Sequence, residues 1–363
     1  MPSSKPWLDA LGLEQPTTTD EFVAMLRAMK DGDPNGNGIA DEIPLMYYNE
    51  VRYMVRFLMN SFIYWDTTDH MVVRDGVVSP AYFEPEFKQG IEWLNMLVKE
   101  GLLDPASFTQ DTNTFKAVMN MDEAVIGFIP HAWIDANYMD VTSERRHNYV
   151  FQGPLTGPSG VCFSNERAPV PSMAFQITYV CECPAVAYRL GDFMLDPYVS
   201  MLNRYGFEGR DWQYVSADSG KLGLNGEAAK WELVNDVWQY NTTDVYWRRT
   251  GPHFHPLGTF ETLVWDGDPF SYNHILVESS YKLVGLQPEE YVPASLAMNA
   301  DELEVYLDLR PNIDTYLWEN IAKFIIGDRG IAEWDAFIAE FEKMGITRFV
   351  ESIQSCYTRM NAQ

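Results

Sequence analysis

The part of this chain best equipped for chemistry is a ten-residue run of acids, amides and glycines, residues 33–42. Two glycines in the run allow the backbone to curl tightly, so that the side-chain oxygens can converge. Hard cations such as Ca²⁺ take about six to eight oxygen ligands, and one loop of this spacing can supply them. The expected ligands are five side chains and one backbone carbonyl: Asp33, Asn35, Asn37, Asp41 and Glu42, with the carbonyl of Ile39.

The order of these residues resembles the first half of an EF-hand calcium loop, Asp-x-Asn-x-Asn-Gly. The second half departs from that motif, because Pro44 stands where an EF-hand carries its last Glu. A calcium ion held wholly by protein atoms would brace the fold and would not meet a substrate. The alternative is a plain turn, since Asn-Gly and Asp-Pro form turns without a metal.

The composition indicates a globular protein that is long enough for two domains. The chain has 363 residues, of which 46% are hydrophobic and 21% charged. Its net charge of -26 argues against nucleic acid and anionic membrane surfaces as partners, because both attract basic proteins. A neutral ligand suits this charge. The aromatic share of 14% weakly favours a carbohydrate, since aromatic faces stack on sugar rings.

The four cysteines are too few for a disulfide scaffold, and buried free thiols are expected at Cys162, Cys181, Cys183 and Cys356. No apolar run approaches the length of a membrane span, and the first residues lack the layout of a signal peptide.

Helices and short strands alternate through the first two thirds of the chain, which predicts an α/β fold. Thr18 and Glu21 form a capping box that begins a helix before the calcium-type loop. Strands are predicted at 43–47, 124–129 and 173–180, with a hairpin over 72–78. Further helices are predicted at 84–100, 115–121, 184–204, 227–240, 270–286, 313–326, 332–344 and 347–360.

Catalytic signatures are scarce, because the chain contains no nucleophile elbow, P-loop, dinucleotide fingerprint or His-Glu-x-x-His motif. His253 and His255 could lie on one face of a strand as metal ligands, or they could be ordinary loop residues beside prolines. The 52 acidic residues guarantee pairs by chance, so a glycosidase pair cannot be located. An enzyme is therefore not predicted.

Aromatic and planar polar residues in loops are the candidates for ligand binding. Arginine beside tryptophan joins a stacking surface to hydrogen-bond donors that suit sugar hydroxyls or a uronate carboxylate. The alternative for each aromatic ring is packing in the core. The candidate residues are Trp133, Tyr205, Glu208, Tyr246, Trp247 and Arg248.

Several segments together resemble the extracellular solute-binding proteins of bacterial ABC transporters, in the branch that delivers carbohydrates. The calcium-type loop, extended to 33–45, is the most specific of them. The others follow in the same order across nearly the whole chain: 7–13, 16–22, 153–160, 203–209, 323–327, 334–335 and 354–357.

The resemblance implies a periplasmic-binding-protein-like (type II) fold of two α/β lobes, with the solute bound in the cleft between them. It implies a non-enzymatic protein that captures an oligosaccharide and presents it to a membrane permease. In the alginate-oligosaccharide-binding and lipoprotein branch, the matching loop holds a structural Ca²⁺ away from the ligand. The resemblance further implies an extracellular, cell-surface location, with a lipid anchor in relatives, and a monomer is expected.

One departure from the family concerns the start of the chain. Members usually carry a lipoprotein signal and a long segment before the Trp-Leu-Asp motif, which here begins at Trp7. The first lobe is therefore expected to be incomplete. The predicted division is 1–175 for most of the second lobe, 176–300 for the crossover and partial first lobe, and 301–363 for C-terminal helices. The alternative function is a secreted, calcium-stabilised polysaccharide hydrolase or lyase.

Overall fold

A computed structural model describes residues 2–48, 51–65, 69–129, 139, 145, 148–164, 175–235, 254, 258–269 and 271–362. The chain divides into two compact units. Unit 1 comprises Met1–Ala168 and Ser279–Gln363, and unit 2 comprises Pro169–Glu278. Unit 2 is therefore one continuous segment inserted between two parts of unit 1 along the sequence.

The strands are short and are numbered along the chain: β1 Pro2–Ser4, β2 Ile43–Leu45, β3 Met71–Arg74, β4 Val77–Pro80, β5 Ile126–Phe128, β6 Tyr149–Phe151, β7 Trp212–Tyr214 and β8 Trp231–Leu233. The α-helices are α1 Lys5–Leu11, α2 Thr19–Asp31, α3 Arg52–Met59, α4 Pro85–Lys99, α5 Thr112–Met119, α6 Pro184–Met194, α7 Pro197–Tyr205, α8 Tyr272–Leu283, α9 Ala300–Ile326, α10 Trp334–Lys343 and α11 Ile346–Asn361.

Unit 1 is built around a four-stranded sheet in the order β2-β5-β1-β6. Strands β2 and β5 are parallel, with Ile43 opposite Ile126 and Leu45 opposite Phe128. Strand β1 runs antiparallel to both β5 and β6. All three residues of β5 are buried, because apolar elements cover this short strand. The predicted strands at 43–47 and 124–129 are therefore confirmed over their central residues.

Helix α2 begins with the predicted capping box. The Thr18 hydroxyl accepts a hydrogen bond from the Glu21 amide at 3.2 Å, and the Glu21 carboxylate accepts one from the Thr18 amide, also at 3.2 Å. The apolar stripe of this helix is buried as its spacing predicts, at Phe22, Met25, Leu26 and Met29. Helix α2 therefore delivers the chain to the calcium-type loop in a defined direction.

The C-terminal helices pack onto the same core. Helix α9 contacts both α4 and α11, and it contains Pro311 without ending there. The Asn95 side chain of α4 donates hydrogen bonds at 3.0 Å to the carbonyls of Phe324 and Ile325, which are left free at the end of α9. The predicted helices at 84–100, 115–121, 313–326, 332–344 and 347–360 are confirmed, and α9 begins 13 residues earlier than its prediction.

A polar relay centred on the buried His70 links α3, the segment before β3, and α9. The Trp65 indole N–H donates to His70 Nδ1 at 2.6 Å, and His70 Nε2 lies 3.2 Å from Asp314. Because an indole can only donate, His70 Nδ1 accepts and Nε2 carries the proton that faces the carboxylate. Arg52 pairs with the other oxygen of Asp314 at 3.0 Å. The Trp318 ring stacks on Trp65, with centroids 4.9 Å apart.

Unit 2 holds a smaller core around the antiparallel pair β7–β8. Its buried apolar residues are Met201, Tyr205, Trp212, Leu224, Trp231, Leu263 and Val277. Helix α6 leaves most of its large apolar side chains exposed, at Val186, Tyr188, Leu190 and Phe193.

Three predictions for unit 2 need correction. The helix predicted at 227–240 is wrong over 231–233, which form β8 because they pair with β7. The strand predicted at 173–180 is wrong over 175–180, which contains no strand residue. The helix predicted at 184–204 is two helices, α6 and α7, since Pro197 begins the second one. None of the described helices has the length and apolar character needed to cross a membrane.

Gly157 provides a test of the packing in unit 1. A Cβ atom at this position would lie 1.6 Å from the carbonyl oxygen of Ser61, so Gly157→Ala forces the backbone apart. We expect the substitution to lower the free energy of unfolding by about 2 kcal/mol or more, measured by denaturant titration. Gly153→Ala is the matched control, because a Cβ there meets nothing within 4 Å. Equal stability of the two variants would contradict this packing.

Asp314 provides a test of the polar relay around His70. Burial alone would raise its pKa, but the hydrogen bond from His70 and the nearby Arg52 outweigh burial, so the pKa lies below its ordinary value. The stabilisation is therefore complete above the unfolded pKa of about 4 and is lost as pH falls through the lowered folded pKa. We expect Asp314→Asn to cost about 1 kcal/mol at pH 7, and the difference from wild type to shrink in acid.

The control for the relay is Asp308→Asn, which removes an exposed carboxylate from the same helix. Unfolding measured from pH 7 to pH 3 should show a pH-dependent difference for Asp314→Asn only. A difference that stays constant down to pH 3 would contradict the lowered pKa.

Candidate functional site

The calcium-type loop begins where α2 ends, and its backbone reverses direction through left-handed conformations. Asp33 has φ of 46°, and Gly36 and Gly38 each have φ of 73°. Such values are uncommon for residues with a Cβ, so the two glycines supply the tight curvature that the spacing predicted. Asp33 adopts this conformation as one of the few side-chain types that tolerate it.

Backbone amides orient the first three side-chain oxygens of the loop. Asp33 accepts a hydrogen bond from the Gly38 amide at 3.1 Å, and Asn35 accepts one from the Asn37 amide at 3.1 Å. Asn37 Oδ1 accepts one from the Ile39 amide at 2.7 Å. The loop therefore holds its side chains by local bonds before any ligand is considered.

The carboxylate of Asp41 accepts more side-chain hydrogen bonds than any other group that is described in the loop. It accepts hydrogen bonds from Asn35 Nδ2 at 3.0 Å and from Asn37 Nδ2 at 3.1 and 3.3 Å. Its neighbour Glu42 has one oxygen, Oε1, that is buried and has no hydrogen-bond partner among the described residues. A buried carboxylate oxygen without a partner is costly, and a cation would remove that cost.

The donor set fits a hard cation better than a transition metal. It consists of carboxylates, amide oxygens and the Ile39 carbonyl, which accepts a hydrogen bond from the Asp41 amide at 2.9 Å. Within the described ranges, no three histidine, cysteine or acidic side chains converge closely enough to hold a metal by themselves. Ca²⁺ accepts amide and carbonyl oxygens alongside carboxylates, so this finding leaves the calcium interpretation intact.

The structure adds one residue that the sequence did not indicate. Glu123 lies 86 positions from Asn37 and accepts a hydrogen bond from its Nδ2 at 2.7 Å. The contact follows from the pairing of β2 with β5, because Glu123 shortly precedes β5 and the loop shortly precedes β2. A prediction that these two strands pair in parallel would have found it.

Two predicted ligand-binding residues lie in a turn of unit 2, at 205–211. Tyr205 is 3% exposed, and its ring packs against Trp231 with centroids 4.6 Å apart. Its burial favours the alternative of core packing. Glu208 is exposed, and it contributes, after burial, to raising the pKa of Tyr214.

The same turn is held by Asp211, whose carboxylate is buried. It accepts a hydrogen bond from the Phe207 amide at 2.8 Å and pairs with Arg210 at 2.8 Å. Gly206 has φ of 93°, and a Cβ there would lie 2.3 Å from the Asp211 carboxylate. Packing therefore explains why this position is glycine, since any larger residue would clash with the Asp211 carboxylate.

The other four predicted ligand-binding residues, Trp133, Tyr246, Trp247 and Arg248, lie outside the described residues, as do His253 and His255. Unit 2 also carries two exposed aromatic rings, those of Tyr198 and Tyr214. Tyr198 and Tyr214 flank the buried Trp212, with ring centroids 6.0 and 5.1 Å from it.

No family model matches the chain. Two curated proteins are similar to it along nearly its whole length. The fructooligosaccharide ABC transporter substrate-binding protein FusA of Streptococcus pneumoniae is 28% identical over 375 residues, which cover 99% of this chain and 65% of FusA. The lipoprotein LipO of Bacillus subtilis is 29% identical over 369 residues, which cover 97% of this chain and 67% of LipO. The chain thus spans about two thirds of the length of these relatives.

Solved structures show the same fold. An EF-hand mutant of FusA in complex with fructo-nystose has a TM-score of 0.69 at 23% identity, covering 99% of this chain and 72% of that one. An extracellular solute-binding protein of Bifidobacterium longum subsp. infantis has a TM-score of 0.73 at 19% identity, covering 98% and 72%. The alginate-binding protein AlgQ2 without calcium ion has a TM-score of 0.68 at 18% identity, covering 98% and 71%.

These likenesses confirm the α/β, periplasmic-binding-protein-like fold. By their names, the similar proteins are substrate-binding, solute-binding and alginate-binding proteins and a lipoprotein. None of these proteins is named as a hydrolase or a lyase, so the alternative function receives no support from them.

Proposed function

We propose that this protein is the oligosaccharide-binding component of an ABC import system. The observation that carries the proposal is the 28% identity to a fructooligosaccharide-binding protein along 99% of the chain. The net charge of -26 further favours a neutral oligosaccharide over an anionic one, because the protein's field repels anions. A membrane permease is the partner that would receive the solute.

Ligand capture would combine stacking on aromatic rings with hydrogen bonds to hydroxyl groups. Trp133, Tyr246, Trp247 and Arg248 remain the proposed contacts, because their sequence context joins apolar faces to planar donors. Glu208 is an exposed candidate as well. Tyr205 is the weakest of the six, since its ring belongs to the core of unit 2.

We also propose that the calcium-type loop binds a structural Ca²⁺ through Asp33, Asn35, Asn37, Asp41, Glu42 and the carbonyl of Ile39. The buried, unpartnered oxygen of Glu42 supports this assignment. When bound, the ion would supply positive charge to an acidic loop and would take no part in ligand chemistry. The EF-hand in the name of one FusA structure and the calcium in the name of the AlgQ2 structure agree with it.

An extracellular location at the cell surface is proposed on the same grounds, because the relative LipO is named as a lipoprotein. A monomer is the oligomeric state that we propose. The predicted division into lobes, with boundaries at 175 and 300, likewise stays a prediction.

The proposed ligand class predicts binding of short fructans. Isothermal titration of the protein with kestose and nystose should give saturable heats, with roughly micromolar dissociation constants. The glucan maltotriose, of similar size, is the ligand control. Sugar analysis after incubation should show intact oligosaccharide. Release of product would contradict a non-enzymatic protein, and absence of heat with any oligosaccharide would contradict the proposed function.

A pair of variants tests the proposed contacts. Trp247→Ala should weaken fructan binding by about tenfold, because loss of one stacked ring costs roughly 1.4 kcal/mol. Tyr179→Ala is the control, since Tyr179 is fully exposed. An unchanged affinity of Trp247→Ala would remove Trp247 from the site without affecting the proposal that the protein binds oligosaccharides.

The proposed ion predicts that metal removal destabilises the protein. Addition of Ca²⁺ at about 100 times its dissociation constant contributes about 2.7 kcal/mol, which should raise the melting temperature by several degrees over the EDTA-treated protein. Asp33→Ala should abolish this sensitivity. Asp31→Asn, which removes a charge just outside the loop, should retain it. No response in a protein shown to be calcium-free would mean that the loop is only a turn.

A further inference from the structure

We infer that Cys181 and Cys183 are a redox-responsive pair, whose two thiols close reversibly into a disulfide at the start of α6. The inference does not depend on the proposed oligosaccharide and calcium sites. The sequence predicts buried thiols at both positions, and this prediction is wrong for the pair, because Cys183 is exposed and Cys181 is half-buried.

The two thiols lie close together, because only Glu182 separates them along the chain. Even a fully extended chain holds Cα atoms two residues apart at about 7 Å, and a disulfide joins Cα atoms up to about 6.8 Å apart. The chain bends at Glu182, which brings the Cα atoms of the two cysteines nearer than the extended limit. A disulfide can therefore join them with little movement of the backbone.

The pair lies where the chain reverses direction. The Cys181 amide donates to the Thr178 carbonyl at 3.1 Å and so closes a turn just before the pair. A Cβ atom on Gly191 of α6 would lie 2.8 Å from the ring of Phe175, so the segment before the turn returns along the helix. A bond between the two cysteines would fix this reversal.

The thiol of Cys183 is not needed to begin the helix. Cys183 is the N-cap of α6, and its carbonyl accepts hydrogen bonds from the amides of Val186 and Ala187 at 3.0 and 3.1 Å. Its side chain makes no capping hydrogen bond. The thiol can therefore turn toward Cys181 without breaking a contact of the first helical turn.

The other two cysteines are poor competitors for the same reaction. Cys356 is buried, and burial raises the pKa of its thiol. Burial likewise raises the pKa of the Cys162 thiol, although a hydrogen bond with Thr156 opposes the shift. Disulfide exchange needs a thiolate that the oxidant can reach, so exposure selects the pair at the start of α6.

The oxidant is a small-molecule disulfide, such as oxidised glutathione. The thiolate of the more exposed Cys183 attacks one sulfur of the oxidant, which forms a mixed disulfide and releases one small thiol. The thiolate of Cys181 then attacks the Cys183 sulfur, which forms the protein disulfide and releases the second small thiol. The two protons from the protein thiols end on the two released thiols, so one disulfide is reduced for each one formed. The proposed extracellular location is a setting in which disulfides persist.

The test is incubation of the full chain with oxidised glutathione, followed by mass spectrometry. The wild type should lose about 2 Da, and digestion should place the bond within one peptide that contains both cysteines. Dithiothreitol should restore the mass. Cys181→Ser should stop at the mixed disulfide on Cys183, because it lacks the second thiol. Cys162→Ser is the matched control and should oxidise as the wild type does.

Three results would overturn the inference. The wild type could keep its four free thiols, it could remain at the mixed disulfide, or it could form a bond to Cys162 or to a second chain. Each would show that the thiols of Cys181 and Cys183 do not meet. Slower amide hydrogen exchange over 178–187 after oxidation would support a fixed reversal, and unchanged exchange would contradict it. None of these results bears on the binding of oligosaccharide or calcium.

Discussion

The parallel pairing of β2 with β5 is the interaction on which both the sheet of unit 1 and its candidate metal site depend. Strand β5 lies between β2 and β1, so it connects the loop-bearing part of the chain to the N-terminal strand. Parallel strands cannot be joined by a tight turn and need a long crossover. Here the crossover contains α3, α4 and α5, and α4 carries apolar residues of the main core. Loss of the β2–β5 pairing would therefore disturb both the main core and the position of the loop.

Charge is the second constraint on this molecule. With a net charge of -26, the chain has half as many basic as acidic residues. Many of its carboxylates are therefore expected to be stabilised by neutral hydrogen-bond donors or by single nearby cations. In the calcium-type loop, asparagine amides and backbone N–H groups face the acids. At Asp314, a histidine and an arginine do so, and at Asp211 an adjacent arginine. In the loop, neutral amide donors face both Asp41 and Glu123, and this is the site for which we propose a divalent ion.

Local signals predicted the helices of unit 1 well. The capping box at Thr18 and the stripe that follows it are interactions between near neighbours, and they form in the structure as expected. In unit 2 the signals predicted the helices at 184–204 and 270–286, but they failed at β8. Trp231 and Val234 have the spacing of a helical face, yet Trp231 lies in β8 opposite Tyr214 of β7. Pairing with a strand 17 residues earlier outweighed the local preference, which is how tertiary context overrides a propensity.

The sequence by itself determined the calcium-type loop, because its oxygens, glycines and turn dipeptides lie within ten residues and act through local bonds. It also indicated a resemblance to solute-binding proteins, through several short segments along the chain. Only the tertiary structure decided that Glu123 reaches this loop, since the contact depends on strands about 80 residues apart. The structure likewise decided that Tyr205 belongs to a core, because burial is a property of the packed chain and not of a single segment.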